Sequence, residues 1–150
     1  MDKKYFLKPS SFGEEGENTI FDFRFFPIKT YHVEYVFLVY PDDIFCAGRD
    51  LYVAAKLYDA IIDAGYTGLD NARLITYKLD PQYYNSEIPS QNYYFVDVIG
   101  TPNDDIYFEL DPTFSFIVSE RMKALMKQFR IKYTVFEEYN QYRSLQILWV

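Results

Sequence analysis

The sequence contains few of the residues that build disulfide-linked or metal-stabilised folds. Its 150 residues include one cysteine, one histidine, six glycines and seven prolines. A single cysteine, Cys46, excludes an internal disulfide and a conventional multi-cysteine zinc site. A chain of this length can bury a substantial core of its own, so we predict one domain spanning residues 1–150. We also predict no structural metal and no cofactor.

Basic residues are also scarce. The chain has 15 Lys and Arg against 22 Asp and Glu, a formal net charge of −7. Because proteins that bind nucleic acid through its phosphates depend on lysine and arginine, this balance argues against a nucleic-acid partner and fits a basic protein partner. No apolar run approaches the roughly 20 residues of a membrane span, and the N-terminus lacks the apolar core of a signal peptide. We therefore expect a cytoplasmic protein with no membrane partner.

The sequence lacks the short motifs that mark common enzymes. It has no glycine-rich phosphate loop, Gly-x-Ser-x-Gly elbow, His-Glu-x-x-His helix or Cys-x-x-Cys pair. Cys46 and His32 could form a thiol and base pair. However, Cys46 precedes a predicted buried helix, which is typical of an inert core thiol, and His32 lies early on a predicted strand. These observations favour a binding protein over an enzyme.

The sequence is unusually rich in aromatic residues, with 16 tyrosines, 14 phenylalanines and one tryptophan. Those within predicted strands, such as Tyr35, Phe37, Phe95 and Phe116, are expected in the core. A smaller set lies in polar or acidic loops and is predicted to contact a partner: Tyr83, Tyr84, Tyr139 and Tyr142. The alternative, in which these loop tyrosines pack on the core with their hydroxyl groups in water, stays open.

Paired acidic residues are a second set of candidates for partner binding. Asp104-Asp105 and Glu137-Glu138 would present carboxylates that attract a basic protein. Asp42-Asp43 and Asp104-Asp105 could instead bind calcium or magnesium, but each pair stands beside turn-forming residues and neither matches an EF-hand loop. The turn interpretation is favoured for both of these pairs, and no metal site is predicted.

The hydrophobic pattern predicts several strands and two helices. Between residues 50 and 64, polar residues recur at spacings of three and four, which predicts a mostly buried helix ended by Gly65. Ser119 is a candidate N-cap for a second helix with Met122 and Met126 on its apolar face. Strands are predicted over residues 31–40, 73–79, 92–99, 106–110, 114–118, 133–137 and 145–150, and loops over 10–18 and 80–91. This order predicts an α+β or α/β domain in which two main helices pack on a mixed β-sheet.

Two parts of the chain resemble a known family. The segment from Phe116 to Tyr139 (FIVSERMKALMKQFRIKYTVFEEY) runs from a short apolar strand through Val-Ser and a helix to a strand ending near Phe-Glu. The stretches AGYTGL at residues 64–69 and NYYFVDVI at residues 92–99 also follow this group. The chain thus resembles a family of bacterial immunity proteins from polymorphic toxin systems, long catalogued as a domain of unknown function. It departs from the family at Lys132-Tyr133, where a glycine is frequent, and in a shorter middle region.

The resemblance implies an intracellular immunity protein that binds and neutralises a cognate toxin without catalysis, so no catalytic residue is carried over. Its partner would be that toxin, for which the acidic charge fits a basic protein. Two alternatives remain open. A small-molecule-binding or hydrolytic enzyme would use carboxylates such as Asp97, Asp104, Asp105 or Glu109, and Asp97, an acid in an apolar strand, is expected to have a raised pKa. A structural or phage-assembly protein would form homo-oligomers, which the sequence also permits.

Overall fold

Short strands rich in aromatic and β-branched residues form most of the described chain, because such residues suit a pleated, half-buried surface. The structure is a computed structural model that describes residues 3–25 and 28–139. The strands in these residues are β1 (Lys4–Lys8), β2 (Gly13–Glu15), β3 (Ile20–Asp22), β4 (Lys29–His32), β5 (Glu34–Phe37), β6 (Ile44–Ala47), β7 (Asp50–Ala54), β8 (Leu69–Leu74), β9 (Thr76–Leu79), β10 (Tyr93–Val98), β11 (Ile106–Glu109), β12 (Ser115–Ser119) and β13 (Val135–Glu138). The helices are α1 (Ala55–Asp63) and α2 (Glu120–Met126).

The central sheet consists of β6, β7, β10 and β8 in that order and is antiparallel. Its strand β7 alternates side chains between two cores. Leu51 and Val53 belong to one core, whereas Tyr52 and Ala54 belong to the other. Because both faces are covered, β7 has almost no polar face.

The outer sheet has the order β11-β12-β1-β13 and is antiparallel throughout. Its residues Leu7 and Val118 pack in one core with Val96 of the central sheet. The same core contains Leu57 and Ile61 of α1, four residues apart and therefore on one face of that helix. The outer sheet thus joins the first strand of the chain to the last described one.

The second helix packs into the same core through Met122 and Met126, again four residues apart. Ser119 is its N-cap, and its hydroxyl accepts a hydrogen bond from the backbone N–H of Met122, as predicted. Gly65 follows α1 with a φ of +73°, which confirms it as the left-handed residue that ends this helix. Among the described residues, neither helix is long and apolar enough to cross a membrane.

The third sheet, β2-β5-β9, covers the other face of the central sheet, and β5 and β9 run parallel. Aromatic side chains fill the space between the two sheets: Phe12, Tyr35, Phe37, Phe45, Tyr52, Tyr93 and Phe95. Strands β3 and β4 form a separate two-stranded hairpin. The predicted core positions of Tyr35, Phe37, Phe95 and Phe116 are confirmed.

The prediction of a single mixed sheet is wrong, because the strands of the described residues form four separate sheets, and this part of the chain is mostly β with two short helices. The difference arises where a predicted strand changes partners. The predicted strand over residues 31–40 is divided at Val33 between β4 and β5, and that over 73–79 is divided at Ile75 between β8 and β9. Both dividing residues are buried, so hydrophobic alternation continues across the break and conceals it.

Some of the other predicted strands, helices and loops are confirmed, and others have wrong boundaries. The strands expected near β10, β11, β12 and β13 are present, and no strand or helix occurs over residues 80–91. The helix predicted over residues 50–64 begins only at Ala55, because its first five residues form β7. The predicted loop over residues 10–18 contains β2, and the predicted strand over residues 145–150 lies outside the described residues.

Candidate functional site

The partner-binding residues predicted from the sequence lie in three separate places. Tyr83 and Tyr84 belong to the segment between β9 and β10. The Tyr83 hydroxyl donates a hydrogen bond to the Glu87 carbonyl (2.6 Å), and its ring packs against the aromatic core. Tyr84 is 74% exposed and borders a shallow cavity with Phe12 and Leu38. Of this pair, Tyr84 is the one free to contact a partner.

Asp104 and Asp105 lie in the turn before β11 but have different surroundings. Asp104 accepts hydrogen bonds from the backbone N–H (2.7 Å) and hydroxyl (3.2 Å) of Thr101, as the turn interpretation expects. Asp105 is buried and accepts two hydrogen bonds from Arg121 (2.7 and 2.8 Å) and one from the Ser119 hydroxyl (2.7 Å). Burial alone would raise the pKa of Asp105, but these hydrogen bonds outweigh it and lower the pKa to about 2. The Asp105 carboxylate therefore serves to hold β12 and α2 in place.

The third group lies on β13, the edge strand of the outer sheet. Glu137 forms an ion pair with Lys8 (2.6 Å), and Glu138 is exposed. Tyr139 donates a hydrogen bond to Glu109 (2.8 Å) and packs edge-on against Phe6. Tyr142 lies outside the described residues.

The acid that supported the enzyme alternative is paired. Asp97 accepts hydrogen bonds from Arg73 (2.9 and 3.2 Å) and from the Asn71 side chain (3.1 Å). Partial burial would raise the pKa of Asp97, but these contacts lower it overall, so the expected raised pKa is wrong. The sequence pattern missed this partner because Arg73 comes from the neighbouring strand β8.

The thiol and imidazole pair also lacks the features of a catalytic site. Burial raises the pKa of the Cys46 thiol, which disfavours the nucleophilic thiolate. The Cys46 thiol donates a hydrogen bond to the Pro9 carbonyl (3.4 Å), while His32 is exposed at the end of β4. Among residues 3–25 and 28–139, no group of three or more His, Cys, Asp or Glu side chains could hold a metal ion.

A different surface stands out, which we call the hairpin groove. It is a cavity of about 610 Å³ between the β3–β4 hairpin, the β6–β7 turn and the segment between β11 and β12. Its walls are largely apolar and include five side chains that are at least one-third exposed: Phe21, Phe23, Ile28, Leu110 and Phe114. A cluster of exposed large apolar side chains of this kind is a recognised mark of an interaction site.

Phe114 is held in the groove in an unfavourable backbone conformation. Its φ is +48°, in the left-handed region that bulky residues rarely occupy. Such a conformation costs on the order of 1–3 kcal/mol. The ring is nevertheless 55% exposed, with its edge-on contact to Phe108 (4.8 Å between centroids) on one side. Because the Phe114 ring is exposed, its strained backbone contributes little to the packing of the core. We infer that the strained conformation serves to place the ring in the hairpin groove.

The acidic residue among those that line the hairpin groove is Asp50, at the start of β7. Its carboxylate accepts a hydrogen bond from the Thr30 hydroxyl (2.9 Å), which links the hairpin to the central sheet. Asp50 also lines a second cavity of about 320 Å³, whose walls include Phe25, Phe95 and Asp97. Ile28, Thr30 and Arg49 also line both cavities, so the two cavities adjoin along these residues.

Glu15 of β2 lies beside Asp50 and forms a carboxyl pair with it. Burial, the charge of Asp50 and hydrogen bonding between the two groups raise the pKa of Glu15 to about 8. Burial also raises the pKa of Asp50. A proton held between the carboxyl groups relieves the repulsion of two charges in a partly desolvated place.

Replacing Glu15 with glutamine is expected to stabilise the protein at alkaline pH. The pKa of Glu15 is about 8 in the folded state, against 4.5 for an ordinary glutamate. Between these two pH values the folded state keeps a proton on Glu15 that the unfolded state has lost. Wild-type stability should therefore fall as pH rises through the window, by about 2 kcal/mol after allowance for solvent screening. Urea unfolding at about pH 5 and about pH 9 should show a gain for Glu15→Gln only at the higher pH.

The matched control for this experiment is Glu14→Gln, since Glu14 is exposed on the same strand and loses the same charge. It should leave the pH dependence of the wild type almost unchanged. Identical pH dependence in the wild type and Glu15→Gln would contradict the shared-proton description.

The hairpin groove was not predicted, although one signal of it was present. Residues 21–25 place phenylalanine at every second position, with Asp22 and Arg24 between them. This is the alternation of a strand with one apolar face, but a short two-stranded hairpin has no layer to cover that face. Nothing local indicated the strain at Phe114 or the approach of Glu15 to Asp50.

Searches among protein-family models, curated proteins and solved structures find no match for this chain. The resemblance to immunity proteins therefore remains a prediction.

Proposed function

We propose that this protein is a bacterial immunity protein that binds a cognate protein toxin at the hairpin groove and neutralises it without catalysis. The observation that carries this proposal is the exposed aromatic wall of the groove, above all Phe23 and Phe114. Aromatic side chains seated in pockets supply most of the binding energy in many protein interfaces. The resemblance of residues 64–69, 92–99 and 116–139 to the immunity family supports the class of partner.

The charge of the protein supports a basic toxin. A net charge of −7 raises the association rate with a basic partner through long-range attraction, whereas the apolar groove would supply the short-range affinity. The association rate with the toxin should therefore fall as salt is added, while the dissociation rate changes little.

The test is co-expression with a toxin domain encoded by the neighbouring reading frame. In a bacterial host that lacks both genes, the toxin domain alone should stop growth, and this protein should restore it. The purified proteins should form a complex with a dissociation constant below about 1 μM. Absence of an adjacent toxin gene, failure to restore growth, or weaker binding would each overturn the proposal.

Removal of the groove aromatics is expected to weaken toxin binding more than it weakens the fold. Phe23→Ala should raise the dissociation constant about 30-fold, a loss of about 2 kcal/mol, because Phe23 is 74% exposed and free to enter a partner. Phe114→Gly should raise it at least about tenfold and change stability by less than about 1 kcal/mol, because relief of the φ of +48° offsets the lost ring contact. Calorimetric titration measures the dissociation constant, and urea unfolding measures the change in stability.

Two comparisons locate the binding surface. Ile99→Ala removes an apolar side chain that is 63% exposed outside the groove and should leave toxin binding unchanged. Tyr84→Ala tests the sequence-predicted loop with the same exposure as Phe23. If Tyr84→Ala abolishes binding and Phe23→Ala does not, the partner lies on the loop between β9 and β10 instead of the groove.

The stoichiometry of neutralisation separates this proposal from its alternatives. A binding protein protects in proportion to its amount and is exhausted at one equivalent, whereas an enzyme acting on the toxin or its product would protect at a small fraction of that amount. A structural protein would bury the groove against a second copy, and light scattering would then show a dimer that dissociates in Phe23→Ala.

A further inference from the structure

The hairpin groove combines apolar walls with one acidic lining residue, Asp50. Phe21, Phe23 and Ile28 line the hairpin groove on the hairpin side, and Leu110 and Phe114 contribute on the opposite side. Asp50 is positioned by the Thr30 hydroxyl at 2.9 Å. A ligand that fills this groove would therefore lie along apolar side chains and beside Asp50.

The carboxyl pair of Glu15 and Asp50 has no counter-ion within the described part of the chain, where no lysine or arginine lies within ion-pair distance of either group. No hydrogen bond of ordinary geometry reaches the buried Glu15 Oε2 atom or the Tyr52 hydroxyl group, but the two groups lie close enough for hydrogen bonding between them to lower the pKa of Glu15. Tyr52 is completely buried, and it lies close enough to Glu15 and Asp50 for their charges to raise its pKa. Of these three groups, Asp50 is the one that lines the cavities and that a ligand in the hairpin groove would reach.

Three basic residues lie near the two cavities, but each faces another group. The Arg49 guanidinium lies 5.0 Å from the centroid of the Phe108 ring, and the Lys29 ammonium lies 5.2 Å from that of Phe25. Arg73 forms its ion pair with Asp97. Burial keeps the pKa of Asp50 raised although Arg49 and Arg73 act to lower it. The lysine and arginine residues that the structure describes therefore leave the charge of the carboxyl pair incompletely compensated.

We propose that the hairpin groove receives a lysine or arginine side chain of the bound protein, with its charged head at Asp50 and its alkyl stem along the aromatic walls. This inference rests on the proposed function, because it describes the partner of the same groove. A long basic side chain matches both parts of the site, since its stem is apolar and its head is a multiple hydrogen-bond donor. The acidic net charge of the protein favours the same partner.

The test uses small cations and needs no toxin. In an NMR titration of the full chain, n-butylguanidinium and n-butylammonium serve as probes, and n-butanol is the uncharged control. The cations should shift the carboxyl carbon signal of Asp50 and the ring signals of Phe114, and should bind at least about tenfold more tightly than n-butanol. Asp50→Asn should remove this preference, whereas Asp63→Asn, at an exposed position at the end of α1, should preserve it.

A second measurement avoids the variant. Cation binding should favour the ionised carboxyl pair, so the affinity of wild-type protein for n-butylguanidinium should rise about tenfold between about pH 6 and about pH 9, with release of a proton. The affinity for n-butanol should not change.

Each outcome decides the inference independently of the toxin. Equal affinity for cations and n-butanol, cation shifts confined to Asp97, absence of binding, or a pH-independent cation affinity would overturn it. If the cations bind as expected and no toxin is neutralised, the proposed function fails while the cation site stands. If the toxin is neutralised and the cations do not bind Asp50, this inference alone fails.

Discussion

Replacement of Asp43 by alanine is expected to lower the free energy of unfolding by about 3–5 kcal/mol. The Asp43 carboxylate is completely buried and accepts hydrogen bonds from the Gln91 side chain (3.1 Å) and the Arg130 backbone N–H (3.0 Å). It also forms an ion pair with Lys56 (3.4 Å). Alanine would leave these donors without their partner, and urea unfolding followed by circular dichroism would measure the loss.

The matched control for Asp43 is Asp59→Ala, which removes the same side chain from an exposed position on α1. This substitution should change stability by less than about 0.5 kcal/mol. A loss below about 1 kcal/mol for Asp43→Ala would show that the Asp43 contacts do not hold the fold.

Asp42 works in parallel with Asp43 at the same place. Its carboxylate accepts hydrogen bonds from the backbone N–H of Tyr133 (2.8 Å) and the Thr134 hydroxyl (3.0 Å). Through these hydrogen bonds, the Asp42 and Asp43 carboxylates hold the segment between α2 and β13 against the start of β6. The sequence identified Asp42-Asp43 as turn residues and not metal ligands, but it could not show that Asp42 and Asp43 accept hydrogen bonds from the backbone of Tyr133 and Arg130, about 90 residues further along the chain.

Phe45→Ala is expected to have a similarly large effect, a loss of about 3–5 kcal/mol in the free energy of unfolding. Phe45 is fully buried at the centre of the aromatic core. Its ring contacts five others, with centroid distances from 4.9 to 6.3 Å: Phe12, Tyr35, Phe37, Tyr52 and Tyr93. Alanine would leave a cavity between the central and third sheets, and chemical denaturation measures the cost.

Phe45→Leu provides the graded comparison, because it retains most of the apolar volume and should cost less than alanine. Phe25→Ala is the surface control, since Phe25 is 46% exposed at the second cavity, and should cost less than about 1 kcal/mol. Equal losses for Phe45→Ala and Phe25→Ala would contradict the central role of the aromatic core.

The candidate site divides into parts that could and could not be predicted. The presence of aromatic residues for partner binding could be inferred from composition, and Tyr83 and Tyr84 were reasonable choices because they lie in a polar loop. The alternating phenylalanines of residues 21–25 did not indicate a site, because a local pattern shows which face is apolar but not whether another layer covers that face. Only the tertiary structure shows that Phe21 and Phe23 remain uncovered.

The carboxyl pair shows the same limit for charge. The sequence predicts Glu15 in a loop and Asp50 at the start of a helix. The fold places Glu15 on β2 and Asp50 on β7, where two sheets meet, so burial raises the pKa of both carboxyl groups, and Asp50, 35 positions away, raises that of Glu15 further. Burial and Coulomb interactions depend on distances in space, which no local spacing in the sequence contains.

By itself, the sequence determined the local features of this protein: the strand identity of β10 and β11, the N-cap at Ser119, the helix end at Gly65 and the aromatic nature of the core. These follow from propensities, capping and alternation, which act over a few residues. The tertiary structure alone decided the division into four sheets, the strand β7, the ion pair of Asp97 and the hairpin groove. Each of these depends on which distant segments pack together. Burial on both faces of a strand removes the alternation of polar and apolar residues that distinguishes a strand from a helix. Pairing between distant segments leaves no pattern in the local sequence.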